Sequence, residues 1–165
     1  MYKNILVPLD LSSRAEAILP HVEELARCSD ARVIFLHVLT QKAQVLDMTG
    51  NQIELEIQLY SERRMRAENY LLQRVTLWRA KGIHCEYRVI DGHPVESIIE
   101  IADEVNADLI ALASHGRSGL ASVVYGSVAT GLLHRINQPI LVIKSVEKPT
   151  ERKETAKQEA VASPS

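Results

Sequence analysis

Short runs of apolar residues, most rich in β-branched side chains, alternate along this chain with longer stretches in which apolar residues recur every three or four positions. The short runs are Ile5–Val7, Val33–Leu39, Tyr87–Ile90, Leu109–Ala113 and Ile140–Ile143. A continuous apolar run of this length fits a strand buried on both faces, as in a parallel sheet. The third run is the weakest, because Glu86 and Arg88 alternate with its apolar residues. Pro139 opens the fifth, at a position a strand tolerates.

The longer stretches predict four helices. Ser13, followed three residues on by Glu16, reads as a capping box. Behind it Ala15, Ile18, Leu19, Val22, Leu25 and Ala26 keep helical spacing, and Pro20 inside that pattern predicts a kink or a late start. A long second helix is predicted from about Ile53 to Lys81. It has Ile53, Ile57, Tyr60, Ala67, Leu71, Val75 and Trp78 on one face and Gly82 as its terminal cap. The third helix opens at Pro94 and runs through Ile98, Ile101, Ala102 and Val105. The fourth starts near Gly126-Ser127 and carries Val128, Leu132, Leu133 and Ile136. Strand and helix thus alternate from β to β, which predicts an α/β fold with helices on both sides of one parallel sheet. The segment from Thr40 to Gln52 is the least patterned connection and is expected to be a loop able to fold over a site.

Composition narrows the possibilities. The 165 residues carry a formal net charge of −2, with 46% hydrophobic and 24% charged residues, values of an ordinary globular domain. There is no basic excess of the kind nucleic acid calls for. Aromatic residues, at 4%, are too few for base-stacking platforms. From Ser145 onward the chain turns polar, which divides it into a domain over residues 1–145 and a disordered tail over 146–165. Cys28 and Cys85 form no CxxC pair, and both are expected as buried small hydrophobes in a reducing cytosol. The opening MYKNILVPLD runs straight into a strand, without a leader-like apolar region. The longest uncharged stretch, Ser118–His134, is broken by glycines and is too short to span a bilayer. These features predict a cytoplasmic protein without a membrane-inserted segment.

In an open α/β sheet, ligands bind beyond the carboxyl ends of the strands. That rule singles out Pro8-Leu9-Asp10, Val38-Leu39 and the segment Ala113 to Gly119. Gly116 allows the backbone to approach a ligand closely, and Gly126-Ser127 stands at a helix start where amides can meet an anion. Arg117 offers a charged donor to a phosphate. The same glycines could instead only turn the chain, with Ser127 only a cap. Asp10 could accept hydrogen bonds from a ribose diol, or could simply cap its own turn. The backbone of Val38 could read an adenine edge. His115 reads as a polar loop residue, since no carboxylate partner is evident beside it. No GxxxxGK[ST] is present, no GxGxxG follows the first strand, and no histidine spacing suggests a metal site built by the protein. Arg63, Arg64 and Arg66 read as a solvated helix face balanced by Glu62 and Glu68.

Several blocks taken together carry a family resemblance over residues 1–144: KNILVPLD, FLHVL, GHPVESIIEIADEVNADLIALASHGRSGL and YGSVATGLLHRINQPILVIK. The chain resembles the single-domain, ATP-binding universal stress proteins. Nucleotide-binding members carry Gly-x-x-Gly, nine residues, then Gly-Ser or Gly-Thr. Here Gly116 and Gly126-Ser127 match, and Ala113 stands at the first glycine position. The resemblance implies a Rossmann-like sheet of order 3-2-1-4-5 that binds ATP, AMP or another adenine nucleotide, with Mg²⁺ or Mn²⁺ carried in by the phosphates. Asp10 would meet the ribose. Pro8, Leu9 and Val38 would surround the adenine and sugar. Gly116, Arg117, Gly126, Ser127 and Val128 would hold the phosphates. A homodimer through the fifth strand, Ile140, Leu141, Val142 and Ile143, is also implied. Three readings follow: a dimeric nucleotide-binding sensor or regulator of the stress response, a slow ATP hydrolase, and a dimeric interaction protein that binds no nucleotide.

Overall fold

The computed structural model describes residues 1–40, 50–115 and 126–145. The strands are β1 (Asn4–Pro8), β2 (Arg32–Leu39), β3 (Cys85–Asp91), β4 (Leu109–His115) and β5 (Ile140–Ser145). They form one parallel sheet in the order β3-β2-β1-β4-β5. The helices are α1 (Leu19–Ser29), α2 (Gly50–Ala80), α3 (Pro94–Glu104) and α4 (Ser127–Leu133).

Successive strand residues point to opposite faces, so each strand feeds two cores. Ile5, Val7, Val33, Phe35 and Ala111 pack with Val22 of α1 and Leu71, Val75 and Trp78 of α2. Phe35 meets Trp78 edge-on, with ring centroids 5.0 Å apart. Leu6, Ile34, Leu36, Ile110 and Leu112 pack on the other side with Ile98, Ile101 and Ala102 of α3 and Ala129 and Leu132 of α4. Double-sided burial explains why β1, β2 and β4 read as unbroken apolar runs. At the amino ends of the strands, Asp108 accepts from the amides of Lys3 (2.7 Å) and Asn4 (3.1 Å), which ties the start of the chain to β4.

The first helix starts late, as Pro20 predicts: a 3-10 turn over Ala15–Ile18 precedes α1, and Pro20 lies in the first turn of α1. The predicted capping box does not form among the described residues. Ser12 rather than Ser13 takes the free amide of Ala15 (3.1 Å). Glu16 instead reaches across to α2, where it accepts from Tyr70 Oη (2.6 Å) and Arg74 Nη2 (2.5 Å). Cys85 is buried at the start of β3, whereas Cys28 is exposed on the outer side of α1, against expectation. Leu133 is exposed as well, because only Ala129 and Leu132 of α4 are turned fully into the core.

The predicted second helix begins three residues early, at Gly50, and its face divides. Ala67, Leu71, Val75 and Trp78 are buried, but Ile53 and Ile57 are 37% and 61% exposed. The reason is length. At about 1.5 Å per residue, 31 residues span about 46 Å, roughly twice a seven-residue strand. The upper turns of α2 therefore pass the end of the sheet. Tyr60 and Arg64 tie them to Asp91 at the end of β3 (2.9 and 3.4 Å). Apart from Met1 and Leu133, every exposed large apolar side chain among the described residues lies on α2. Of the predicted loop, positions 41–49 lie outside the described residues, as does the predicted tail 146–165.

Candidate functional site

The strand order reverses beside β1, which has β2 on one side and β4 on the other. At that point a crevice of about 190 Å³ opens at the carboxyl edge. Pro8, Leu9 and Asp10 form one wall, and Leu36, His37 and Val38 extend it. Leu112 and Ala113 of β4 form the floor, and residues 126–129 with Pro94 and Ile98 close the other side. The predicted site residues Pro8, Leu9, Asp10, Val38, Ala113, Gly126, Ser127 and Val128 all line this one crevice. Gly116, Arg117 and the side chain of His115 lie outside the described residues.

The turn after β1 is pinned through both backbone polar groups of one residue, Leu9. The Leu9 amide donates to the Leu36 carbonyl (2.8 Å), and the Leu9 carbonyl accepts from His37 Nδ1 (2.7 Å). A carbonyl can only accept, so Nδ1 carries the proton. Asp10 Oδ1 accepts from the amide (2.9 Å) and hydroxyl (2.5 Å) of Ser12. Its carboxylate therefore caps the turn while standing exposed at the crevice mouth. Leu11 between them sits at φ 65°, a left-handed conformation that costs a branched residue about 1 kcal/mol or more.

Across the crevice, Gly126 has φ 78° and ψ 153°, a region essentially reserved for glycine. The first helical bond of α4 runs from the Thr130 amide to the Gly126 carbonyl (3.0 Å). The amides of Ser127, Val128 and Ala129 thus have no acceptor within the helix. Ala113 lies in β4 opposite Ile143 and is not among the residues with positive φ. Its backbone conformation therefore makes no demand for glycine.

His37, Pro94, Ile98, Leu112 and Ala129 also line the crevice and were not singled out by the sequence. The signal for Pro94 was the Gly92-His93-Pro94 turn, since β3 ends at the same edge. Gly92 donates its amide to Leu39 (3.1 Å), and a Cβ added there would stand 2.4 Å from Ser97 Oγ. The close start of α3 therefore depends on that glycine. Asp10 and His37 are the only ionisable side chains among the described lining residues. No group of three His, Cys, Asp or Glu able to hold a metal ion occurs among the described residues. No described helix is long and apolar enough to cross a membrane.

The Universal stress protein family model matches residues 1–144. This chain belongs to the universal stress protein family. The universal stress protein MJ0577 of Methanocaldococcus jannaschii is 30% identical over 155 residues, covering 87% of this chain and 96% of that protein. Its solved structure superposes with a TM-score of 0.74, covering 90% of this chain and 99% of that one. The structure of a universal stress protein from Archaeoglobus fulgidus in complex with dAMP is 26% identical, with a TM-score of 0.60, and covers 87% of this chain and 98% of that one. The universal stress protein fold accounts for the sheet order, and the crevice lies where that order reverses.

Proposed function

We propose that this chain binds an adenine nucleotide, ATP first among them, in the crevice between β1 and β4. Its role is that of a cytoplasmic sensor or regulator in the stress response. The observation that carries this reading is the convergence on one crevice of Asp10, Val38 and the residues from Gly126 to Val128. The complex of the Archaeoglobus fulgidus relative with dAMP supports an adenine nucleotide as the ligand class. The Asp10 carboxylate suits ribose hydroxyls, and the Val38 backbone suits an adenine edge. The amides at the start of α4, which have no acceptor within the helix, suit phosphate oxygens. Gly116 and Arg117 would complete the phosphate contacts. A Mg²⁺ or Mn²⁺ ion would arrive with the phosphates, and Asp10 is the only carboxylate among the described lining residues that could face it. The α/β domain would end at 145, with a tail beyond. A homodimer through Ile140–Ile143 would cover the outer edge of β5, which has only β4 as a neighbour.

Binding is favoured over hydrolysis, because the crevice places only Asp10 and His37 as acid-base groups among its described residues. The Nδ1 of His37 is already engaged by Leu9. Calorimetry with ATP, AMP and cyclic AMP tests the reading. The wild type should bind at least one of them, and Gly126→Val should abolish binding by straining the turn. Silence of the wild type toward all three adenine nucleotides would refute it.

A further inference from the structure

We propose that His37 is a positioning residue for Asp10: from β2 it holds the peptide plane on which Asp10 is mounted. The backbone pairing of β1 with β2 ends at Pro8 and Leu36. The Leu9 amide adds one bond beyond it, to the Leu36 carbonyl (2.8 Å). The His37 side chain supplies the next, donating from Nδ1 to the Leu9 carbonyl (2.7 Å). An imidazole thus carries the ladder one step further, at the point where the crevice opens. Leu9 is 3% exposed, so water is a poor replacement for that donor. The other end is firm, because His37 and Val38 pair with Val89 and Ile90 of β3.

The consequence for Asp10 follows from peptide geometry. The unit from Cα of Leu9 to Cα of Asp10 is planar, so with the Leu9 amide and carbonyl both held, the Asp10 amide and Cα are held too. Rotation about φ of Asp10 then sets where its Cβ stands relative to that plane. Ser12 takes up the far end, with its amide (2.9 Å) and hydroxyl (2.5 Å) on Oδ1, and the Ala15 amide donates in turn to Ser12 Oγ (3.1 Å). Leu11, between Asp10 and Ser12, is at φ 65°, so the turn would relax if an anchor were lost. Ser12 belongs to that same turn and would travel with it. His37 instead refers the carboxylate to the sheet, one residue before Val38, which lines the same crevice. The placement of Asp10 stands by itself, and its bearing on ribose recognition rests on the nucleotide reading.

The test is a double-mutant cycle on the full chain, with ATP as the probe and calorimetry as the reading. Asp10→Ala and His37→Leu should each weaken binding about tenfold. The double variant should fall no more than about twofold below Asp10→Ala, because His37 acts through Asp10. Rescue identifies the atom. Asn carries its amide nitrogen where His carries Nδ1, and Gln carries it near Nε2. His37→Asn should therefore come within about threefold of the wild type, and His37→Gln should resemble His37→Leu. That pair decides the matter if His37→Leu fails to fold. A reading without ligand stands beside it: the nitrogen resonance of the Asp10 amide should move in His37→Gln and return toward its wild-type position in His37→Asn. Additive losses in the cycle, or equal behaviour of the Asn and Gln variants, overturn the proposal. A wild type silent toward ATP refutes the nucleotide reading alone, and the amide resonance then decides for or against His37.

Discussion

The lower and upper halves of α2 share one sequence pattern and have different surroundings. From Ala67 to Trp78 the inward stripe is buried against β2 and β3, while from Ile53 to Ile57 the same stripe stands in solvent. The spacing of apolar residues is equally helical in both. What differs is the sheet, which ends near Asp91. Periodicity therefore states which side of a helix could be covered, and the lengths of neighbouring elements decide whether it is.

The sharpest break of that comparison is a pair of truncations on the same stripe. Leu71→Ala should cost about 2–5 kcal/mol of stability in urea unfolding, while Ile57→Ala should stay within about 0.5 kcal/mol. Equal losses would mean that the upper half is packed after all. A smaller effect is expected at the clamp on the lower half. Glu16→Ala leaves Tyr70 and Arg74 without their shared acceptor and should cost about 1–2 kcal/mol.

The same clamp predicts a response to alkali. Burial, and then the Glu16 carboxylate, push the Tyr70 phenol up to about 12 from its ordinary 10.0. The folded state thus favours the neutral phenol. Its contribution is fully present below about pH 10 and is lost as pH rises through about 12. Tyr70→Phe should remove that slope from the unfolding free energy, with phenolate absorbance as the direct reading. The smallest effect belongs to the upper half. Asp91→Ala removes the acceptor that Tyr60 and Arg64 share, should cost under about 1 kcal/mol, and should speed hydrogen exchange in the first turns of α2 while leaving the last turns unchanged.

Strand positions were legible in the sequence because burial on both faces leaves runs such as Val33-Ile34-Phe35-Leu36 without a polar interruption, whereas the strand order was implied by the family resemblance. The start of α1 was legible through Pro20. The destination of Glu16 was not, because a local capping box and a distant clamp on Tyr70 and Arg74 use the same residue types. In the crevice, Asp10 and Gly126 announced themselves through turn chemistry. His37, Ile98 and Leu112 did not. They line the site through strand order and helix placement, which no short motif encodes. Of the two roles weighed for Asp10, the structure shows the turn cap, on a residue that also lines the crevice.

The parallel sheet has a practical consequence for handling the molecule. Asp108 holds Lys3 and Asn4 at the amino edge, the far end of the strands from Pro8, Val38 and Ala113. A purification tag or a surface tether attached ahead of Met1 would leave from that far edge and keep the crevice accessible. A fusion after Ser145 would leave from the crevice edge itself, since Ser145 lies beside His115 at the end of β4. Sensor chips and fluorescent fusions for ligand measurements therefore belong at the amino terminus.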